Sequence, residues 1–199
     1  MKNISLIALL ATLPMLSFAQ LDLSLRDTRF ASIGYTLKDH WLFRLESSVF
    51  SADESYQNGR MYVGYTNEIK GIIGTILPYA GMAWNTDYKL VGANINAKYN
   101  ILGHAIIEVT YNPHWDSIYG FNHCYMTGVE TPITKEVSFV ARFQNIPEYR
   151  VVAKRVRVGM KFKVNNLMIK PEISFAPKKE LEPIRMMVDF SYSFPNTKI

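Results

Sequence analysis

Apolar and polar residues alternate with a period of two along almost the whole chain, and that regularity restricts the fold to antiparallel sheet. The run Leu90 to Ile101 shows it most fully. Val91, Ala93, Ile95, Ala97, Tyr99 and Ile101 point one way, and Gly92, Asn94, Asn96, Lys98 and Asn100 the other. The same division recurs at Trp41, Phe43 and Leu45 against Arg44, Glu46 and Ser48, and at Met61, Val63 and Tyr65 against Arg60, Tyr62 and Gly64. Further along, Val156, Val158, Met160 and Phe162 oppose Arg155, Arg157, Gly159 and Lys161, while Met186, Val188, Phe190, Tyr192 and Phe194 oppose Arg185, Asp189 and Ser191. Each strand therefore has a greasy face and a polar one.

The connections alternate in length. Tight turns are predicted at Lys38-Asp39-His40, Lys70 to Gly74, Leu102-Gly103, Ile133-Thr134-Lys135 and Asn165-Asn166, the last suited to a two-residue hairpin because Asn tolerates positive φ. Longer polar loops are predicted over Ser51 to Gly59, Asn85 to Lys89, Asn112 to Tyr119, Asn145 to Arg150 and Pro177 to Pro183. Five tight turns join ten strands, Ile184 to Phe194 adds one, and Leu21 to Arg26 completes an even count of about twelve. The alternative is ten, because the two faces of Phe121 to Thr131 are indistinct. Pro78 and Pro171 interrupt strands on their apolar faces and predict a bulge or strand end nearby; Gly64, Gly81, Gly92, Gly128 and Gly159 predict curvature.

Residues 1–19 read as a secretory signal: Lys2 is followed by an apolar run from Ile4 to Leu16 and a small-x-small site at Ser17-Phe18-Ala19. Residues 20–199 then form a single domain. No later segment is apolar for long enough to span a bilayer as a helix, so a membrane-resident form of this chain has to cross with strands. The lone Cys124 excludes an internal disulfide. The formal charge of +5, which falls by one when Lys2 leaves, is spread along the chain and forms no basic run of the nucleic-acid-binding kind.

Alternation alone does not say which face is enclosed, because a soluble barrel and a membrane barrel differ by inversion. Aromatics on the apolar face gather near strand ends, with Tyr35, Trp41, Tyr99 and Phe194 toward the short turns and Trp84, Tyr111, Phe143 and Phe175 toward the long loops. Two such rows match interfacial girdles. The polar faces carry charges of both signs, at Arg44, Glu46, Arg60, Lys98, Glu108, Arg142, Glu172, Arg185 and Asp189, which an enclosed lumen would let pair. Both observations favour the inverted arrangement over the alternative, a soluble secreted β-barrel binding a small ligand.

The terminal alternation Phe190, Tyr192, Phe194 resembles the final strand by which outer-membrane barrels are recognised for assembly, although Pro195 to Ile199 follow it. Together with the strand pattern and turn asymmetry, it makes the mature chain resemble bacterial outer-membrane β-barrel proteins as a class. That resemblance implies an all-β fold: a closed antiparallel up-and-down transmembrane β-barrel with short periplasmic turns and longer extracellular loops. It implies residence in the outer membrane of a Gram-negative bacterium, contact with outer-membrane lipids and lipopolysaccharide, and insertion by the barrel assembly machinery. It names no cofactor, transfers no catalytic residue, and leaves the oligomeric state open.

The strongest functional candidate is a basic wall. Arg155, Arg157, Lys161, Lys163 and Lys170 share the polar side of two adjacent strands and would bias porin-like passage toward small anions, as charged rings do in pores. A salt-bridged lumen with a structural or surface role is the competing reading. An outer-membrane lipid hydrolase is the enzymatic alternative: His114, Asp116 and Ser117 have the residue types of a base, its orienting partner and a nucleophile. Neighbouring loop residues rarely converge, and no hydrolase motif surrounds these, so no catalytic residue is assigned. His104 reads as inward beside Glu108, and His123 lies beside Asn122 and Cys124. No two His or Cys residues have metal-ligand spacing. Tyr56, Tyr88, Trp115, Tyr119 and Tyr149 fall in loops and read as interfacial aromatics.

Overall fold

The computed structural model describes residues 19–26, 30–38, 40–48, 58–84, 86–148, 151–176 and 184–194. The expected signal segment before Ala19, Tyr56, Tyr149, the Pro177–Pro183 loop and the tail after Phe194 lie outside them. Twelve strands follow in order: β1 (Ala19–Arg26), β2 (Phe30–Leu37), β3 (Trp41–Ser48), β4 (Asn58–Ile69), β5 (Ile72–Ala83), β6 (Lys89–Ile101), β7 (Ala105–Asp116), β8 (Gly120–Pro132), β9 (Val137–Glu148), β10 (Val151–Val164), β11 (Leu167–Phe175) and β12 (Ile184–Ser193). Each is antiparallel to its sequence neighbours, and β1 pairs with β12 through Asp22↔Ser193 and Leu25↔Phe190, so the sheet closes without an edge.

Register fixes the size of the barrel. Carrying the perpendicular partner from strand to strand once around the wall, starting at Leu25, returns to β1 about 14 residues further along. For twelve strands that stagger corresponds to a tilt of about 40° and a backbone radius of roughly 11–12 Å, wider than an eight-stranded barrel that side chains fill.

The short turns behave as their residues dictate. Lys70 and Gly71 both adopt positive φ, 52° and 79°, as a two-residue primed hairpin requires, and Asn165 does so at 53°. At the opposite end the connections differ from the sequence reading. β7 runs on to Asp116, leaving only 117–119 as a turn, and β9 and β10 reach Glu148 and Val151. The polarity of Asn112, His114 and Asp116 marks the inner face of an extended wall and not a loop, since outward Trp115 alternates with the buried His114 and Asp116.

The prolines also act differently from expectation. Register keeps the same offset on both sides of Pro78 and Pro171, so neither produces a bulge. Only local bridges are lost, between Tyr62↔Tyr79 and Tyr65↔Ile76 on one wall and between Gly159↔Glu172 and Phe162↔Ile169 on another. Glycine accommodates the backbone there. A Cβ on Gly64 would run into the backbone of Ile76 and Leu77, and one on Gly159 into the backbone of Pro171 and Glu172. Gly64→Val is therefore expected to lower stability by about 1–3 kcal/mol through overpacking, read as a lower urea midpoint of the detergent-refolded protein.

Exposure settles the inversion. Met61, Ile76, Val91 and Val109 are 58, 56, 53 and 50% exposed on the outer surface, while Arg155, Glu172 and Lys170 are 1, 3 and 6% exposed inside. A predominantly apolar outer band is unstable against water and matched to hydrocarbon. Of the aromatics read as girdles, Trp41, Tyr99 and Phe194 lie exposed near the short-turn end and Trp84 and Phe175 near the other; Tyr35 is outward and half-buried. Tyr111 and Phe143 sit well below the ends of their strands, because β7 and β9 extend beyond them.

Candidate functional site: the barrel lumen

The inward positions of all twelve strands converge on one enclosed space, and three pairs of opposite charge meet directly across a ladder. Glu46 faces Arg60, Lys98 faces Glu108, and Lys170 faces Asp189. The Lys170 Nζ lies 2.8 Å from Asp189 Oδ2, and Lys98 Nζ lies 3.4 Å from Glu108 Oε1. Asn96 Nδ2 donates to the same Glu108 oxygen at 2.9 Å and to Thr110 Oγ1 at 2.7 Å. Lys161 donates to both Glu130 oxygens at 2.7 and 2.9 Å.

Glu46 anchors the first half of the wall. It accepts from Arg26 Nη2 at 3.0 Å and from the Tyr62 hydroxyl at 3.2 Å, with Arg60 Nη1 at 3.9 Å. Phe30 lies beneath two guanidinium groups, 5.1 Å from Arg26 and 5.9 Å from Arg60, and Arg44 stands 6.0 Å from the Tyr62 ring. Aromatic faces thus hold these arginines against the wall by cation–π attraction.

The five cations read as a basic wall are handled separately. Arg157 lies 3.7 Å from Glu172 and, with the Gln144 amide turned so that its oxygen faces the guanidinium, donates to that oxygen from Nε and Nη2 at 2.9 and 3.0 Å. Arg155 Nη1 donates to Ser174 Oγ at 3.5 Å. Lys161 and Lys170 have the carboxylates named above, and Lys163 is exposed beside the Asn165-Asn166 turn. Arg185 is inward and half-buried on β12.

Two cavities open in the lumen beside these charges. A cavity of about 410 Å³ is lined by Arg26, Arg44, Lys170, Asp189 and the serines of β1, β2 and β12; one of about 110 Å³ lies against the opposite wall beside Lys98, Glu108, Glu130, Arg142 and Lys161. Tyr62, Leu77, Tyr79 and Leu90 form an apolar cluster inside the barrel, and Tyr79 donates to Asn112 Oδ1 at 3.0 Å.

The residues weighed as a hydrolase do not assemble. His114 Nδ1 lies 3.0 Å from Asn112 Oδ1 and 4.0 Å from Cys124 Sγ; Asp116 accepts the backbone N–H groups of Ile118 and Tyr119. Ser117 donates to the Asp87 carbonyl and accepts from the Lys89 N–H. His104 lies exposed in the turn after β6 instead of facing inward beside Glu108, because β6 and β7 stop pairing at Ile101↔Ala105. His123 points outward, stacked on Tyr111 and edge-on to Phe121. Among the described residues no His, Cys, Asp and Glu group has the arrangement of a metal site. Phe30 and Gln144 were not singled out from the sequence, yet parity carries the signal: they share the inward phase of Ser32 and Arg142.

No family model matches the chain, and no curated protein sequence does. Solved structures do. The KdgM porin in complex with disordered oligogalacturonate superposes with a TM-score of 0.65 at 10% identity, over 89% of this chain and 99% of that one. The NanC porin gives 0.55 at 9% identity, over 88% and 97%. OmpT with loop L8 deleted, an outer-membrane protein of Vibrio cholerae, gives 0.54 at 10% identity over 82% and 63%. At such identities the likeness is one of architecture: this chain, a closed barrel of twelve strands, shares its fold with bacterial outer-membrane porins.

Proposed function

We propose that this protein is an outer-membrane diffusion channel for small anionic solutes. The observation that carries the reading is the 410 Å³ cavity, which three cations, Arg26, Arg44 and Lys170, line against two carboxylates, Asp22 and Asp189, inside a barrel whose outer surface suits lipid. An anion in an enclosed, partly desolvated channel is favoured by facing guanidinium and ammonium groups, and a cation is repelled by them. The fold shared with porins, of which one is solved with oligogalacturonate and therefore binds a polyanionic saccharide, supports a solute of the same charge here.

An apolar cluster of Tyr62, Leu77, Tyr79 and Leu90 on the inner wall supports a second reading, a closed barrel with a structural role, because these side chains narrow the space that a solute would cross. Planar-bilayer recordings of refolded protein separate the two. The channel reading expects discrete conductance steps and, in a salt gradient, a reversal potential of the sign that marks anion preference. Silent bilayers, or steps with cation preference, would sink it.

A further inference from the structure

Among the charged cross-strand neighbours of the lumen, Arg142 and Arg157 stand apart. Glu46↔Arg60, Lys98↔Glu108 and Lys170↔Asp189 are opposite in sign, whereas Arg142 and Arg157 are two cations directly opposed in the β9–β10 ladder. Like charges placed so are destabilising unless an anion lies between them. That anion is Glu172, which reaches from β11 to within 3.9 Å of Arg142 Nε and 3.7 Å of Arg157 Nη1.

The contact is a loose one. Charge-assisted bonds close to about 2.7–2.9 Å, as Lys161–Glu130 and Lys170–Asp189 do in the same lumen. Both Glu172 oxygens are buried and accept no hydrogen bond among the described residues. A buried carboxylate held by Coulomb attraction without directional bonds calls for an explanation. Its surroundings leave it room: Glu172 lies across Gly159, where a Cβ would meet its Cγ at 2.9 Å, and Arg142 lies across Gly128, where a Cβ would meet its Cγ at 3.0 Å. Arg142, though not Arg157, also lines the 110 Å³ cavity together with Lys98, Lys161, Glu108 and Glu130, so the pair borders open space through Arg142 while Glu172 lies against both arginines.

We propose that the Arg142–Arg157 pair is a carboxylate-binding station of the lumen and that Glu172 is its resident counter-ion, displaced when a solute carboxylate arrives. The inference rests on the channel reading and deepens it by naming the station and the solute class, a small organic carboxylate. Exchange breaks no hydrogen bond of Glu172 and leaves the arginines neutralised throughout, so a carboxylate can substitute for the side chain where a neutral molecule of the same shape cannot.

Two measurements test it. In Glu172→Ala, refolded in detergent, the thermal transition is expected to fall by several degrees. Acetate should restore it saturably, while acetamide and chloride at matched concentration should not. Adding Arg142→Met should abolish the rescue. Acetate acting no better than chloride, or rescue that survives Arg142→Met, overturns the station. In bilayers, Glu172→Gln, which keeps the side-chain volume and covers the case where the alanine variant does not fold, is expected to raise the chloride-to-potassium permeability ratio at least about threefold. An unchanged ratio in a conducting variant overturns the role of Glu172 and leaves the channel reading standing. If the wild-type barrel does not conduct, the channel reading fails, and acetate rescue alone decides whether the arginine pair binds carboxylates.

Discussion

Ile95→Arg is expected to destabilise the barrel by about 2–4 kcal/mol in a lipid bilayer, the cost of a guanidinium on the lipid face near mid-membrane. Ile95 is 42% exposed, and its outward neighbours across the two ladders are Ile76 and Tyr111. In a soluble protein an exposed isoleucine is replaced at almost no cost, typically within about 0.5 kcal/mol. The size of the effect therefore reports what touches the outer face. Urea titration of protein folded into vesicles provides the measurement, with Ile95→Leu as the control for packing. A loss below 0.5 kcal/mol would mean that water bathes this face, and the whole inverted arrangement would fall with it.

The second large effect is expected inside. Asp189→Ala removes the carboxylate 2.8 Å from the Lys170 ammonium, which is only 6% exposed. Breaking a buried pair from one side leaves an uncompensated charge and costs about 3–5 kcal/mol, more than the pair itself contributes. The lower end is expected, because Lys170 borders the 410 Å³ cavity, where water reaches it. Replacing both residues, Lys170→Met with Asp189→Leu, should recover most of the loss, and the double-mutant cycle isolates the coupling. If the single and double variants were equally destabilised, packing and not charge would be what Asp189 provides.

Much of the fold was legible because a strand announces its two faces every second residue. The alternation in Leu90 to Ile101 and in Val156 to Phe162 gave the correct outward and inward sets, and the tight turns gave a count of twelve. The misreadings share one cause. Asn112 to Asp116 looked like a loop because its polar residues were weighed by composition; in an inverted barrel a polar run with alternate aromatics is a wall. Pro78 and Pro171 looked like interruptions because a missing donor usually costs a strand its place. In this barrel each proline faces outward beside a glycine-bearing neighbour strand, Gly64 for one and Gly159 for the other, and the ladder resumes in the same register.

The site was legible only as a list. Parity placed Arg142, Arg157 and Glu172 on the enclosed face, and with them Lys170, Asp189 and Lys161, whereas Glu130, the partner of Lys161, lies in the one strand whose faces the sequence left indistinct. Which of these meet is another matter. Glu172 lies fifteen positions from Arg157 and thirty from Arg142 by their numbers, and it reaches both because β9, β10 and β11 are neighbours in a particular stagger. The order of residues thus determined the strands, their faces and the environment each face requires, since the side-chain period is a local property of the backbone. Tertiary structure alone decided the partners and the shape of the lumen, because these depend on turn lengths, register and closure summed around the whole wall.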